Sequence, residues 1–64
     1  MSPKKTLPQR EKELQSLLAT PAGRRELHEL ESEYLAASGK LRPRGTSVIT
    51  YILVHERELG WICS

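Results

Sequence analysis

The sequence predicts an all-α fold, a small three-helix bundle, on three observations. Two stretches place leucines at helical spacing, and each follows a threonine that can cap a helix. A third stretch, between Gly45 and Gly60, is strongly apolar and contains no helix breaker. A chain of 64 residues can form one domain. We expect a single helical domain over 6–62, between a flexible N-terminus at 1–5 and a short tail at 63–64.

The first helix is predicted over 7–19. Thr6 is suited to the cap position, and Gln9 stands three residues later, which completes a capping box. Pro8 falls in the first turn, where its missing N–H removes no hydrogen bond. The apolar side of this helix is a narrow leucine stripe, with most charged residues away from it: Leu7, Leu14, Leu17 and Leu18.

The second helix is predicted over 21–38. Thr20 and Pro21 repeat the start signal, and Gly39 is the expected left-handed terminator. Its apolar stripe has spacings of about three or four residues. That stripe contains Gly23, Leu27, Leu30, Tyr34 and Ala37, with Leu35 at its border. Gly23 has no side chain, so the first helix can approach it closely.

The third helix is predicted over 46–59, although its apolar core also favours a strand. Residues 48–54 are rich in β-branched and aromatic side chains, as in a buried strand. The charged ending at 55–58 is typical of a helix instead, and the first 39 residues offer no strand to pair with it. The alternative is therefore an α+β chain whose strand at 47–54 pairs with another molecule.

The third helix also predicts an oligomer interface, because its apolar arc covers more than half of its circumference. Two flanking helices would leave part of that arc in water, and a second copy is the expected cover. The function expected from this surface is a non-enzymatic, self-associating protein-interaction module, as a homodimer or on a larger protein partner. The expected interface residues are Val48, Tyr51, Ile52, Val54, His55 and Trp61.

The loop before the third helix suggests the alternative function, a small basic protein that binds nucleic acid or another anion. Its cations precede a helix start, where free N–H groups and the helix dipole favour phosphate or carboxylate. The residues concerned are Lys40, Arg42, Arg44, Thr46 and Ser47. Nucleic acid is not favoured, since the formal net charge is only +2 and no P-loop pattern is present.

The sequence gives no sign of an enzyme, a metal site or a cofactor. His28 and His55 are the only histidines, and no glycine-flanked nucleophile accompanies them. Leu59 occupies the position where a zinc-protease helix would place its second histidine. No apolar run is long enough for a membrane span, and no signal peptide is visible. The single cysteine, Cys63, suits a reducing compartment, so a cytoplasmic protein is expected.

Overall fold

The protein is an all-α three-helix bundle, as the sequence predicts. The computed structural model describes residues 5–63. Helix α1 is Leu7–Leu17, α2 is Pro21–Ser38 and α3 is Val48–Glu58. These bounds agree with the predicted ones to within about two residues, the usual uncertainty of a helix end. The prediction of a flexible N-terminus falls largely on residues 1–4, which lie outside the described residues, as does Ser64 of the predicted tail.

Each helix begins at a hydroxyl side chain that accepts a hydrogen bond from the first turn. Thr6 accepts from the Gln9 N–H while the Gln9 side chain accepts from the Thr6 N–H, which confirms the capping box. Thr20 accepts from the Gly23 N–H at 3.0 Å. Ser47 caps α3 and accepts from the Thr50 N–H at 3.1 Å. These bonds satisfy N–H groups that have no partner within their own helix.

The chain reverses after α3 through a glycine in the left-handed conformation. Gly60 has φ +79°. The Trp61 N–H donates to the Glu56 carbonyl at 2.9 Å, and the Gly60 N–H donates to the Arg57 carbonyl at 3.0 Å. This is the Schellman pattern of a helix end, and it directs the following residues back toward the bundle. Ile62 is buried there.

The returning segment forms a short parallel pair that was not predicted from the sequence. Strand β1 is Lys5–Thr6 and β2 is Ile62–Cys63, with Lys5 opposite Ile62. The pair joins the two ends of the described chain, whereas the sequence pattern placed Lys5 in the N-terminal segment and Cys63 in the tail. Residues 47–54 form no strand; 48–54 belong to α3.

The core lies where the three helices meet. Its buried apolar side chains are Leu14, Leu27, Tyr34, Ile49, Tyr51, Ile52, Leu53 and Ile62. Gly23 is buried at the contact between α1 and α2. A Cβ atom built at Gly23 would lie 2.1 Å from the carbonyl oxygen of Leu17. The absence of a side chain at this position therefore allows the close approach that the sequence predicts.

The chain covers most of α3 with its own elements, more than the sequence pattern indicated. Ile49, Ile52 and Leu53 are all buried within one chain. The expectation of a second copy counted only two helices as cover. The loop between α2 and α3 and the segment after Gly60 add further cover: the Tyr51 hydroxyl donates to the Lys40 carbonyl at 2.7 Å, and Ile62 joins the core.

Replacing Gly23 by alanine is expected to lower the free energy of unfolding by about 2 kcal/mol, because the added methyl group would overlap the α1 backbone. Helix propensity alone predicts a change of opposite sign, up to about 1 kcal/mol of stabilisation. Urea unfolding followed by circular dichroism measures the difference. Ala36 is exposed in the same helix, so the Ala36→Gly variant measures the effect of helix propensity on stability. A Gly23→Ala variant as stable as the wild type would contradict the close contact.

Candidate functional site

A buried ionic cluster joins all three helices. It consists of Arg10 from α1, Tyr34 from α2 and Glu56 from α3. Arg10 donates from Nε to Glu56 Oε1 and from Nη2 to Glu56 Oε2, both at 2.8 Å. The Tyr34 hydroxyl donates to Glu56 Oε2 at 2.6 Å. The Glu56 side chain is only 4% exposed, so these three bonds replace the water that it loses on folding.

The cluster keeps Glu56 ionised at neutral pH. Burial acts to raise the pKa of the Glu56 carboxyl, but the hydrogen bonds from Arg10 and Tyr34 outweigh it, and the pKa is lowered. The same bonds raise the pKa of Arg10, chiefly through its hydrogen bond to Glu56. Burial is the main reason that the pKa of the Tyr34 hydroxyl is raised. Glu56 therefore acts as a fixed anion rather than as a proton donor.

This cluster was not predicted from the sequence, although its spacing was visible. Glu56 was assigned to the charged end of α3 and Arg10 to the outer side of α1. Glu56 in fact continues the buried stripe of Ile49 and Ile52, at the three-and-four spacing of a helix face. Arg10 lies one turn before the buried Leu14. Each residue lies on the buried stripe of its own helix, and the two carry opposite charges. These two facts together could have predicted that they pair.

Tyr34 connects the cluster to the surface of the molecule. Its ring stacks on the His55 imidazole, with a centroid distance of 4.4 Å and an interplanar angle of 26°. Trp61 meets the same ring edge-on at 6.4 Å. Such contacts add about 0.5–1.5 kcal/mol for an aromatic pair. The Tyr34 hydroxyl is fixed by Glu56, so the ring has a set position and holds His55 in place.

His55 lines an open groove between α3 and the loop that precedes it, and we call this cavity the groove. Its volume is about 160 Å³. Tyr51, Val54 and His55 line it from α3 and Leu41 and Pro43 from the loop, with Ser38, Lys40 and Glu58 completing it. The side chains of Leu41 and Val54 are 77% and 51% exposed. Exposed apolar surface around a groove is a feature of sites that bind other molecules.

The predicted interface residues differ in how far a single chain buries them. Tyr51 and Ile52 are buried in the core of a single chain, although Tyr51 also lines the groove. Val48 is half-buried and packs against that core. The remaining three lie nearer the surface, Val54 and Trp61 being exposed and His55 half-buried. The sequence pattern alone does not separate the two sides of α3, because both are apolar.

The predicted anion-binding residues do not converge on one point. Arg42 donates from Nε to Glu31 at 2.7 Å and from Nη1 to the Thr46 carbonyl, also at 2.7 Å. The Ser47 hydroxyl is engaged with Thr50 of its own helix. Lys40 lies on the groove, whereas Arg44 is exposed elsewhere on the loop. Arg42 thus holds the loop to α2, and Lys40 borders the groove.

No protein-family model matched the sequence, and the searches of curated proteins and of solved structures gave no match. Over the described residues, no helix combines the length and apolar character needed to cross a membrane. No three potential metal ligands among His, Cys, Asp and Glu come together in that part of the chain. The ionic cluster also borders an open cavity, of about 270 Å³, but its polar atoms are hydrogen-bonded to one another. The groove combines an open cavity with exposed apolar side chains, so it is the candidate site.

Replacing Glu56 by glutamine is expected to lower the free energy of unfolding at pH 7 by about 2 kcal/mol, because Arg10 loses a charged partner that is almost fully buried. The folded-state pKa of Glu56 lies below its ordinary value of 4.5, so its ionised form contributes stability above that pH. This contribution is lost as the pH falls through the folded-state pKa. Urea unfolding at one protein concentration between pH 7 and pH 3 measures both effects.

The Glu56→Gln variant should therefore show a smaller loss of stability on acidification than the wild type. Glu13→Gln is the matched control. The pKa of the exposed Glu13 carboxyl is also lowered, chiefly by its hydrogen bond with Lys5. Glu13 also accepts a hydrogen bond from Nη1 of Arg10 at 3.1 Å, but its side chain is 45% exposed. Solvent therefore screens both of its ion pairs, and its removal should change stability much less than the loss of Glu56. Equal pH dependence in the wild type and the Glu56→Gln variant would contradict the role given to Glu56.

Proposed function

We propose that the protein is a non-enzymatic interaction module that self-associates, and that the groove with Leu41 is its contact surface. A second copy of the chain is the proposed occupant. The cytoplasm is the proposed location, on the ground that a single cysteine suits a reducing compartment. The proposal keeps Val54 and His55 of the predicted interface, which line the groove, and adds Leu41 of the loop before α3.

The observation that carries the proposal is the exposure of Leu41 on a loop held by hydrogen bonds. Leu41 is 77% exposed. The Tyr51 hydroxyl holds the carbonyl of Lys40 just before it, and Arg42 just after it bonds to Glu31. The loop is thus fixed on both sides of an apolar side chain that lies in water. Binding then costs little additional ordering of the chain, which favours association.

A second copy fits the groove because the groove has charges of both signs. Lys40 and Glu58 both line it, together with the apolar side chains. A surface that contains a cation and an anion beside an apolar centre can be complementary to itself. A small chain also gains by association, since it buries only about 60% of its surface alone. These features favour a second copy of the chain, rather than a protein of different sequence, as the partner.

The alternative from the sequence, binding of nucleic acid or another anion through residues 40–47, has less support. Arg42 and Ser47 already have partners within the chain. Contacts with phosphate would also make binding strongly dependent on salt. Self-association through apolar side chains should persist at about 200 mM salt. Binding through phosphate contacts weakens strongly as the salt concentration rises to roughly that value. The two functions thus differ in a property that is simple to measure.

Replacing Leu41 by alanine is expected to weaken self-association about 100-fold. Each copy loses about 1.5 kcal/mol of apolar burial, and a dimer contains the change twice. Sedimentation velocity over a range of micromolar concentrations measures the dissociation constant. Leu18→Ala is the matched control, because Leu18 is 45% exposed but does not line the groove. That variant should associate like the wild type.

Two results would count against the proposal. A wild-type chain that sediments as a monomer throughout the micromolar range would exclude self-association. A wild-type dimer that Leu41→Ala leaves unchanged, or that Leu18→Ala weakens equally, would move the interface away from the groove.

A further inference from the structure

The two charged residues of the groove suggest how two copies are oriented. Lys40 begins the loop after α2, and Glu58 is the last residue of α3. Both residues line the groove and both are exposed. Within the described residues, neither forms an ion pair inside the chain. The groove thus offers one cation and one anion to an incoming molecule.

Two-fold symmetry would pair these charges reciprocally. In an isologous dimer the same surface of each copy meets at the axis, so residue i of one copy meets residue j of the other, and j meets i. If the axis passes through the groove between Lys40 and Glu58, each cation faces the anion of the other copy. The opposite orientation along the groove would place like charges together, which is unfavourable.

We propose that the protein forms a two-fold dimer in which Lys40 of each copy pairs with Glu58 of the other, on either side of a contact that contains Leu41 and Val54. This inference rests on the proposed function and specifies its partner surface. The apolar centre supplies the affinity, because the charge pairs at the rim remain partly hydrated. The pairs select one orientation among those that the apolar surface alone would allow.

The two-fold arrangement also limits the assembly to a dimer. An isologous contact uses its surface completely in the dimer and leaves no copy of the groove open. A head-to-tail contact between the groove and another surface would continue into chains or rings. The dimer should therefore be the largest species at every concentration in the micromolar range.

Charge reversal tests the pairing without touching the core, because both residues are exposed. Lys40→Glu alone places the introduced carboxylate opposite Glu58 twice in a dimer. Glu58→Lys alone places the introduced ammonium group opposite Lys40 twice. Each single variant is expected to weaken association by about tenfold or more. The double variant restores both pairs and should associate within about threefold of the wild type.

An equimolar mixture of the two single variants gives the sharpest result. In a mixed dimer, the carboxylate introduced by Lys40→Glu in one chain faces the ammonium group introduced by Glu58→Lys in the other. The second pair is the unchanged Lys40 with the unchanged Glu58. The mixture should therefore form heterodimers at concentrations where each variant alone is monomeric, as measured by sedimentation velocity.

Circular dichroism confirms that each variant is folded. Arg44→Glu is the control, since Arg44 is a cation of the same loop that does not line the groove.

The outcomes separate this inference from the proposed function. A wild-type monomer would overturn both. A wild-type dimer weakened by Leu41→Ala, together with a mixture that stays monomeric or a double variant that is not restored, would overturn only the Lys40–Glu58 pairing. Species larger than a dimer would overturn the two-fold arrangement. If Arg44→Glu weakened association equally, the effect would reflect the overall charge of the loop. That result would overturn the pairing as well.

Discussion

The carboxylate of Glu56 imposes the strictest requirement on this fold, because a buried anion must be matched by partners from other elements. Arg10 supplies two hydrogen bonds from α1, and Tyr34 supplies one from α2. The three helices must therefore meet in a register that brings these three side chains together. Removing one partner from a buried pair leaves a charge without compensation, which is strongly unfavourable. In a chain with a small apolar core, such a cluster selects one packing arrangement among several that would bury similar apolar area.

The same cluster shapes the surface that we propose for association. Glu56 fixes the Tyr34 hydroxyl, the Tyr34 ring stacks on His55, and His55 lines the groove. On the other side, the Tyr51 hydroxyl holds the loop that contains Leu41. Both sides of the groove are thus attached to the core by a tyrosine that donates a hydrogen bond. In the proposed dimer, these attachments would favour one geometry of contact.

The helices could be predicted from local signals because their ends are determined locally. Thr6, Thr20 and the glycine after α2 cap their helices whatever the packing, and the structure confirms each one. The buried ionic cluster was missed because charged side chains are presumed to face water, and nothing local in the sequence marks Glu56 as the partner of Arg10. The burial of each predicted interface residue could not be predicted from the sequence for a related reason. Ile52 and Val54 are equally apolar, and only the packing of the chain shows that the first is buried and the second exposed.

The central claim is that Arg10 and Glu56 act as one unit that determines how the helices pack. A double-mutant cycle with Arg10→Met, Glu56→Gln and the combined variant measures their coupling directly. Urea unfolding at pH 7 and one protein concentration gives the four free energies. We expect a coupling energy of about 2 kcal/mol, since either single change removes the main charged partner of the other group. Additive effects, with a coupling energy near zero, would contradict it.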